Sequence, residues 1–325
     1  MTEPALSVVV LAFRERELLA ECLAACLLAS AAVPGEVELL VVDNGGLSAF
    51  VASSCPSARI VDPGANLGFA GGVQRGIELA QAPWIALVND DARLEPDALA
   101  ALLAAGDTRP DVGSVAAQIR FAADRSRINS AGITVDALGA ASERWAGRPV
   151  SIASQSGPVF GASACVGLYR AATLRAIGGF DERFFAYLED VDVAWRARAA
   201  GWASWYEAGA VAYHHGSAST GAQSPQKYFL VGRNRIRLLA RNATRRQLLR
   251  ALPAIALYDL AYVAYVAMAD HTLAPLRGRI AGLRDWSGYR REAAAGRAEV
   301  PLGRVAGGVL QSWRMERAYR AAARS

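Results

Sequence analysis

Several short stretches of this chain carry polar side chains where an apolar run has just ended, and their types suit the transfer of a group from a diphosphate. Val88-Asn89-Asp90-Asp91 sets one amide and two carboxylates behind a buried strand. Oxygen ligands in such a loop can hold Mg2+ or Mn2+ against a diphosphate. An ordinary turn would use the same residues as caps. Tyr187 to Arg196 opens a helix with Glu189, Asp190 and Asp192. A helix start favours acids electrostatically, but three acids among apolar residues also raise one another's pKa values, which suits a general base. His214 and His215 follow an apolar stretch and precede a Gly/Ser loop, in a chain of only three histidines. Either imidazole can turn inward as a metal ligand.

Two further stretches could receive the ligand. Asp43-Asn44-Gly45 ends an apolar strand, and the stretch from Asn66 to Gly76 reads as a glycine-rich turn that enters a helix. Glycines let a ligand approach the backbone. Gly68, Gly71 and Gly72 lack the dinucleotide-binding spacing, and no glycine turn follows the first strand, which argues against a nicotinamide dehydrogenase.

The elements that must carry these residues alternate. Residues 6–13 are apolar throughout, as in a parallel strand buried on both faces, and 15–30 place Leu18, Leu19, Cys22, Leu23 and Cys26 at helical spacing. Further strands are predicted at 37–42, 58–61, 84–88 and 112–118, with a turn at 64–72 and helices to about 80 and over 96–106. This is a Rossmann-like half, whose ligands belong at the carboxyl ends of the strands. Residues 119–180 show weaker periodicity, and a helix is predicted over 187–200.

The 325 residues, 53% apolar and 20% charged, describe a folded chain of one or two domains. Charge is unevenly spread. Residues 1–226 carry 16 basic and 24 acidic side chains, and 227–325 carry 19 and 6, net −8 and net +13. The acidic first part would repel a phosphate backbone and the tail lacks aromatics interleaved with its arginines, so no nucleic-acid partner is expected. The four cysteines form no CxxC pair and the chain opens without a cleavable apolar leader, which predicts a reducing, cytoplasmic setting.

Taken in order, SerValValValLeuAlaPheArg, ValValAspAsnGly, AsnLeuGlyPheAlaGlyGly, ValAsnAspAsp, GlyGlyPheAspGluArgPhePhe, GluAspValAspValAlaTrpArg and HisHisGlySerAlaSer resemble the family 2 glycosyltransferases, nearest their rhamnosyltransferase-like branch. The resemblance covers about 6–220. It implies an α/β GT-A fold, with a Rossmann-like central mixed sheet flanked by helices over 1–225 and a basic, partly apolar helical extension over 226–325. It also implies a nucleotide-diphosphate sugar donor, Mg2+ or Mn2+, and inversion at the anomeric carbon. Ala12, Phe13, Arg14 and Asp43 match the base-binding region. Asn44, Asn66, Gly68, Asn89 and Asp90 complete the donor side. Asp91 matches the last acid of the metal motif, with His214 or alternatively His215 completing the metal shell. Asp190 matches the catalytic base, with Glu189, Asp192 and Arg196 on the acceptor or supporting side.

Alanine, phenylalanine and arginine end the first strand where a Tyr-Asn or Asn-Tyr pair is usual, and Gln74 replaces a common Asn, which bears on base and sugar choice. The function expected is transfer of L-rhamnose from dTDP-L-rhamnose to a hydroxyl of a glycan or lipid-linked acceptor in cell-envelope polysaccharide synthesis. The alternatives are a UDP-sugar transferase and a nucleotide-sugar-binding module without catalysis. In the tail, 251–269 are apolar but for Pro253 and Asp259 and have arginines on both sides. That pattern predicts a helix lying on an anionic membrane surface, and so a peripheral enzyme at the inner face of the plasma membrane, with a helix packed on the domain as the alternative and a spanning helix as the least favoured.

Overall fold

The computed structural model describes residues 3–216, 224–292 and 298–304. The end of the histidine motif at 217–219 and the last part of the basic tail lie outside the described residues.

The first part of the chain alternates as its apolar runs require. β1 (Leu6–Ala12), α1 (Arg16–Ala31), β2 (Val37–Asp43), α2 (Ser48–Ser54), β3 (Arg59–Val61), α3 (Gly68–Leu79) and β4 (Trp84–Asn89) form consecutive βα units. All seven residues of β1 are buried, which explains its unbroken apolar run. β5 (Ala92–Leu94), α4 (Ala98–Asp107) and β6 (Val112–Phe121) follow. The weakly periodic middle then folds into short pieces, β7 (Ile128–Ser130), β8 (Ile133–Val135), β9 (Ala141–Glu143) and β10 (Gly157–Pro158), before β11 (Val166–Arg170), α5 (Ala171–Ile177), α6 (Glu189–Ala199) and β12 (Ala203–His214).

One mixed sheet runs β10-β12-β6-β11-β4-β1-β2-β3, with β5 added to β12 and β7 to β6. β11 inserts antiparallel between β4 and β6. Register fixes where the site forms. Ala12 lies beside Asp43 and Leu11 beside Asn89, so β1, β2 and β4 end side by side. β5 pairs with β12, with Ala92 opposite His214, which brings the end of β12 to the Asp90-Asp91 loop.

The glycine-rich stretch differs from the predicted turn. Helix α3 begins at Gly68, so Gly71 and Gly72 are helical. A Cβ on Gly72 would lie 2.3 Å from Leu11 Cδ1 and one on Gly76 2.4 Å from Val9 Cγ1, so the glycines let α3 pack close against β1. Gly68 has φ +71° and meets Phe185 instead.

The carboxyl-terminal part is helical: α7 (Pro225–Asn242), α8 (Arg245–Ala269) and α9 (Ala274–Glu292). The compositional change near 225 is not a gap in packing, because Leu238 and Leu239 of α7 join Val191 and Trp195 of α6 in one buried cluster.

Candidate active site

On the donor side, the acids and amides at the strand ends are held by backbone. Asp43 accepts from the amides of Gly45, Gly46, Leu47 and Ser48 at 2.6 to 3.1 Å, and from Ser48 Oγ. Burial opposes its charge, but these donors keep its pKa below the ordinary value. Asn44 takes Leu67 N at 2.8 Å and donates to Asn66 Oδ1 at 2.9 Å, and Asn66 Oδ1 also takes Gly68 N at 2.8 Å. Asp43 and Asn44 therefore shape two loops with their side chains. Gly45 is required there, since a Cβ would sit 1.4 Å from Phe13 O. Asp90 Oδ2 accepts Phe13 N at 2.8 Å and ties β1 to β4. Burial, with Asp91 adding to it, raises its pKa to about 6. Arg14 is exposed and stacks on the partly exposed Phe13 ring at 4.6 Å, a flat edge beside these loops.

Asp91 and His214 meet at the next strand ends, with His214 Nε2 3.1 Å from Asp91 Oδ1. His214 Nδ1 lies 3.2 Å from Asn129 Oδ1 at the middle of β7. Of the two adjacent histidines, His214 turns inward, while His215 contributes its backbone N–H to Asp91 O at 3.1 Å. Burial opposes a charge on His214, yet the sulfur of Cys165 and the Asp91 carboxylate hold its pKa well above the ordinary value. Burial likewise pushes Asp91 up, and the facing imidazolium holds it below the ordinary value.

This carboxylate and imidazole fit a divalent cation. Their 3.1 Å separation is close to that of two adjacent ligands about 2.1 Å from an octahedral ion, and one nitrogen with one oxygen suits Mn2+ or Mg2+. Asn129 would fix the imidazole with Nε2 free for the metal. Among the described residues no cluster of three or more His, Cys, Asp or Glu has metal-binding geometry. The remaining positions would fall to water and donor phosphate oxygens, as is usual for such ions.

Asp190 lies at the start of α6. Its Oδ1 takes Val191 N at 2.8 Å and its Oδ2 takes Ala164 N at 3.2 Å. Desolvation nonetheless raises its pKa. Glu189 beside it is buried, has one oxygen without a partner, and is raised further by desolvation and by Asp190. The sequence missed a third acid. Glu143, at the end of β9, accepts from Ser130 Oγ and from Ser163 Oγ at 3.2 Å. Desolvation, then Asp190, lifts it to about 7. A lone acid in an aperiodic stretch on a three-residue strand gave no signal.

Residues 163–165 join the two halves. Ser163 holds Glu143, Ala164 N holds Asp190, and Cys165 O accepts Asn89 N at 2.9 Å while its sulfur contacts His214.

Asp192 and Arg196, expected on the acceptor or supporting side, pair with each other. Two residues along a helix is about 200° of rotation, so Asp192 faces the other way. It is fully buried, 2.6 Å from Arg196, and takes Asn242 Nδ2 at 2.8 Å. Arg196 donates to the carbonyls of Ile177 and Gly179. The pair fixes α6 to α7 and the α5 end.

The loop before Asp190 is strained, with Phe185, Tyr187 and Leu188 all at φ between +64° and +72°. Asn234 of α7 holds it, donating through Nδ2 to the carbonyls of Phe184, Ala186 and Tyr187 at 2.8 to 2.9 Å. Sequence reasoning missed Asn234 too, because its arginine-rich surroundings read as a surface.

With this arrangement established, comparison with known proteins is decisive. Residues 4–262 match the model of glycosyltransferase-like family 2. The chain belongs to that family. This family 2 glycosyltransferase is 33% identical over 218 residues to the N-acetylglucosaminyl-diphospho-decaprenol L-rhamnosyltransferase of Mycobacterium tuberculosis, covering 59% of this chain and 71% of the relative. Among solved structures, it resembles the mannosyltransferase of Pyrobaculum calidifontis in complex with GDP-Man and Mn2+. That likeness has a TM-score of 0.53 at 16% identity and covers 98% of this chain and 87% of the other. It also resembles GalNAc-T7 with UDP, GalNAc and Mn2+, with a TM-score of 0.56 at 10% identity over 73% of this chain. The match spans about half, 48%, of that chain. These likenesses show the GT-A fold, which the mixed sheet and flanking helices display.

Proposed function

We propose that this family 2 glycosyltransferase is a metal-dependent, inverting enzyme that moves L-rhamnose from dTDP-L-rhamnose to a hydroxyl of a lipid-linked glycan at the cytoplasmic face of the membrane. The observation that carries the reading is the 163–165 segment, which sets a metal-type pair, Asp91 and His214, beside a desolvated acid, Asp190. The sugar and the lipid-linked acceptor rest on the rhamnosyltransferase relative, and the dTDP base on the resemblance of the sequence motifs.

The base of the donor lies along Phe13, Arg14 and the backbone loops held by Asp43 and Asn44, with Asn66, Gly68, Asn89 and Asp90 at the same opening. Asp91 and His214 would hold Mn2+ or Mg2+, which would supply positive charge to the departing diphosphate. Asp190 removes the proton of the acceptor hydroxyl as the new C–O bond forms at the anomeric carbon and the bond to phosphate breaks from the opposite side. One displacement inverts the centre. Burial raises the pKa of Asp190, which strengthens it as a base. Glu143 and Glu189 share its desolvated surroundings and are raised with it, so the three acids titrate as a group.

The test is a panel of nucleotide sugars, with and without Mn2+, scored by thermal stabilisation and by transfer to a diphospho-polyprenol acceptor. Metal-dependent stabilisation by dTDP-L-rhamnose with inverted product is expected. A preference for a UDP-sugar overturns the donor assignment, and stabilisation without transfer or hydrolysis favours a binding module.

A further inference from the structure

The carboxyl-terminal helices leave a large apolar surface uncovered. On α8, Leu249, Leu257, Leu260 and Met268 are 65 to 77% exposed and recur at helical spacing. Leu273, just ahead of α9, and Ile280 and Leu283 on it are exposed as well. Helix α8 holds 25 residues, about 37 Å at 1.5 Å each. Isolated exposed leucines need no explanation, but a stripe of this length on two helices joined by a short turn does.

Charge identifies what covers it. Between Arg245 and Arg284 the only acids are Asp259 and Asp270, and both turn away from the stripe. Asp259 is buried, 2.7 Å from both Arg235 and Arg279, and Asp270 accepts from Tyr228 Oη at 2.6 Å. Arg245, Arg246 and Arg250 are exposed at the start of α8, and Arg277 and Arg284 along α9. Arg284 also lines a cleft of about 340 Å3 with Arg291 and Asp285, the acid being paired with Arg237. An apolar stripe flanked by arginines, with Asp285 and Glu292 at the far end of α9 each paired to an arginine, fits an anionic bilayer, with side chains in the acyl boundary and guanidinium groups among phosphates. It does not fit a spanning helix, since crossing would tear Asp259 from two arginines and carry an unpaired charge into hydrocarbon.

We propose that α8 and α9 form an in-plane membrane anchor that seats the enzyme on anionic lipid. The proposal draws on the preceding reading only for the lipid-linked acceptor, which such seating would present to the site. Binding is measured without donor or acceptor.

The experiment is co-sedimentation of the full chain with vesicles of phosphatidylcholine alone or mixed with phosphatidylglycerol, at low and high salt. The wild type should pellet with the anionic vesicles and release partly as salt screens the arginines. Leu257→Glu with Leu260→Glu should weaken partitioning at least about tenfold, given the apolar area removed from the interface. Arg245→Glu, Arg246→Glu and Arg250→Glu together should abolish the anionic preference while leaving the leucines in place, so the proposal does not depend on one variant folding. Equal binding by wild type and both variants overturns it. So does a wild type that ignores vesicles and runs as a dimer that Leu257→Glu with Leu260→Glu dissociates, which would assign the face to a second copy. Donor-dependent thermal stabilisation unchanged in the variants shows that the anchor has failed or held independently of the active site.

Discussion

The two sides of the site use carboxylates in opposite ways. Asp43 faces five donors, four of them backbone amides, and stays below its ordinary pKa although burial opposes the charge. Asp190 has two amide donors, Glu189 has an oxygen with none, and both titrate upward together with Glu143. An acid that fixes a loop is surrounded by amides and held ionised. An acid that must take a proton is desolvated and crowded by other acids. Hydrogen-bond supply therefore separates architecture from chemistry better than residue type does.

The contrast breaks first at Asp190. Asp190→Asn keeps the shape and both backbone contacts as far as an amide can, yet transfer should fall at least about 10²-fold while donor-induced stabilisation persists. Turnover within about a tenth of wild type would remove the base from Asp190.

Between the two sides stands the metal pair, and Asn129 tests it without touching a ligand atom. Asn129→Ala should raise the Mn2+ concentration for half-maximal activity about 10- to 100-fold by freeing the His214 ring. An unchanged metal titration would mean that the 3.2 Å contact to Nδ1 does not orient the imidazole.

Asp43→Ala should act on stability, leaving buried loop amides without an acceptor at a cost of roughly 1–3 kcal/mol. The sign with pH follows from the lowered pKa. The wild-type contribution is present above the ordinary carboxylate value and is lost as pH falls through the depressed one, so wild type and variant should converge in acid melts. A constant difference down to the acid limit would contradict the lowered pKa.

The smallest effect is expected at Glu143. The folded chain holds its proton up to about 7, whereas the unfolded side chain releases it near the ordinary value of 4.5. Across that window the folded state binds more protons, so stability falls as pH rises. Glu143→Gln should flatten the slope of melting temperature against pH there. A slope identical to wild type would place the proton elsewhere in the cluster.

Much of this was legible in the sequence because strands ending in acids announce themselves. The runs before Asn44, Asp90 and His214 are apolar and short, and the polar residue after each must sit at a strand end. The same logic failed where period gave no help. Glu143 sits on a strand of three residues, β11 inserts between strands far from it in sequence, and Asn129 lies in an equally brief strand. Gly72 misled for a physical reason, since a glycine that opens a turn and one that lets a helix lie close on a strand look alike until the strand is placed. Three acids in four residues read as one group, and the helix gives Asp192 an arginine partner that the other two lack.

Asn234 and Arg235 are consecutive on α7. One holds the carbonyls of Phe184, Ala186 and Tyr187 just ahead of Asp190, and the other grips Asp259 at the middle of α8. The chemistry of the first half of the chain thus hangs on a hinge pin from the second half. A chain ended at 226 would keep every reacting group named above and still lose the pin, so the shortest length that preserves the aim of the base is set by a side-chain amide rather than by where the composition changes.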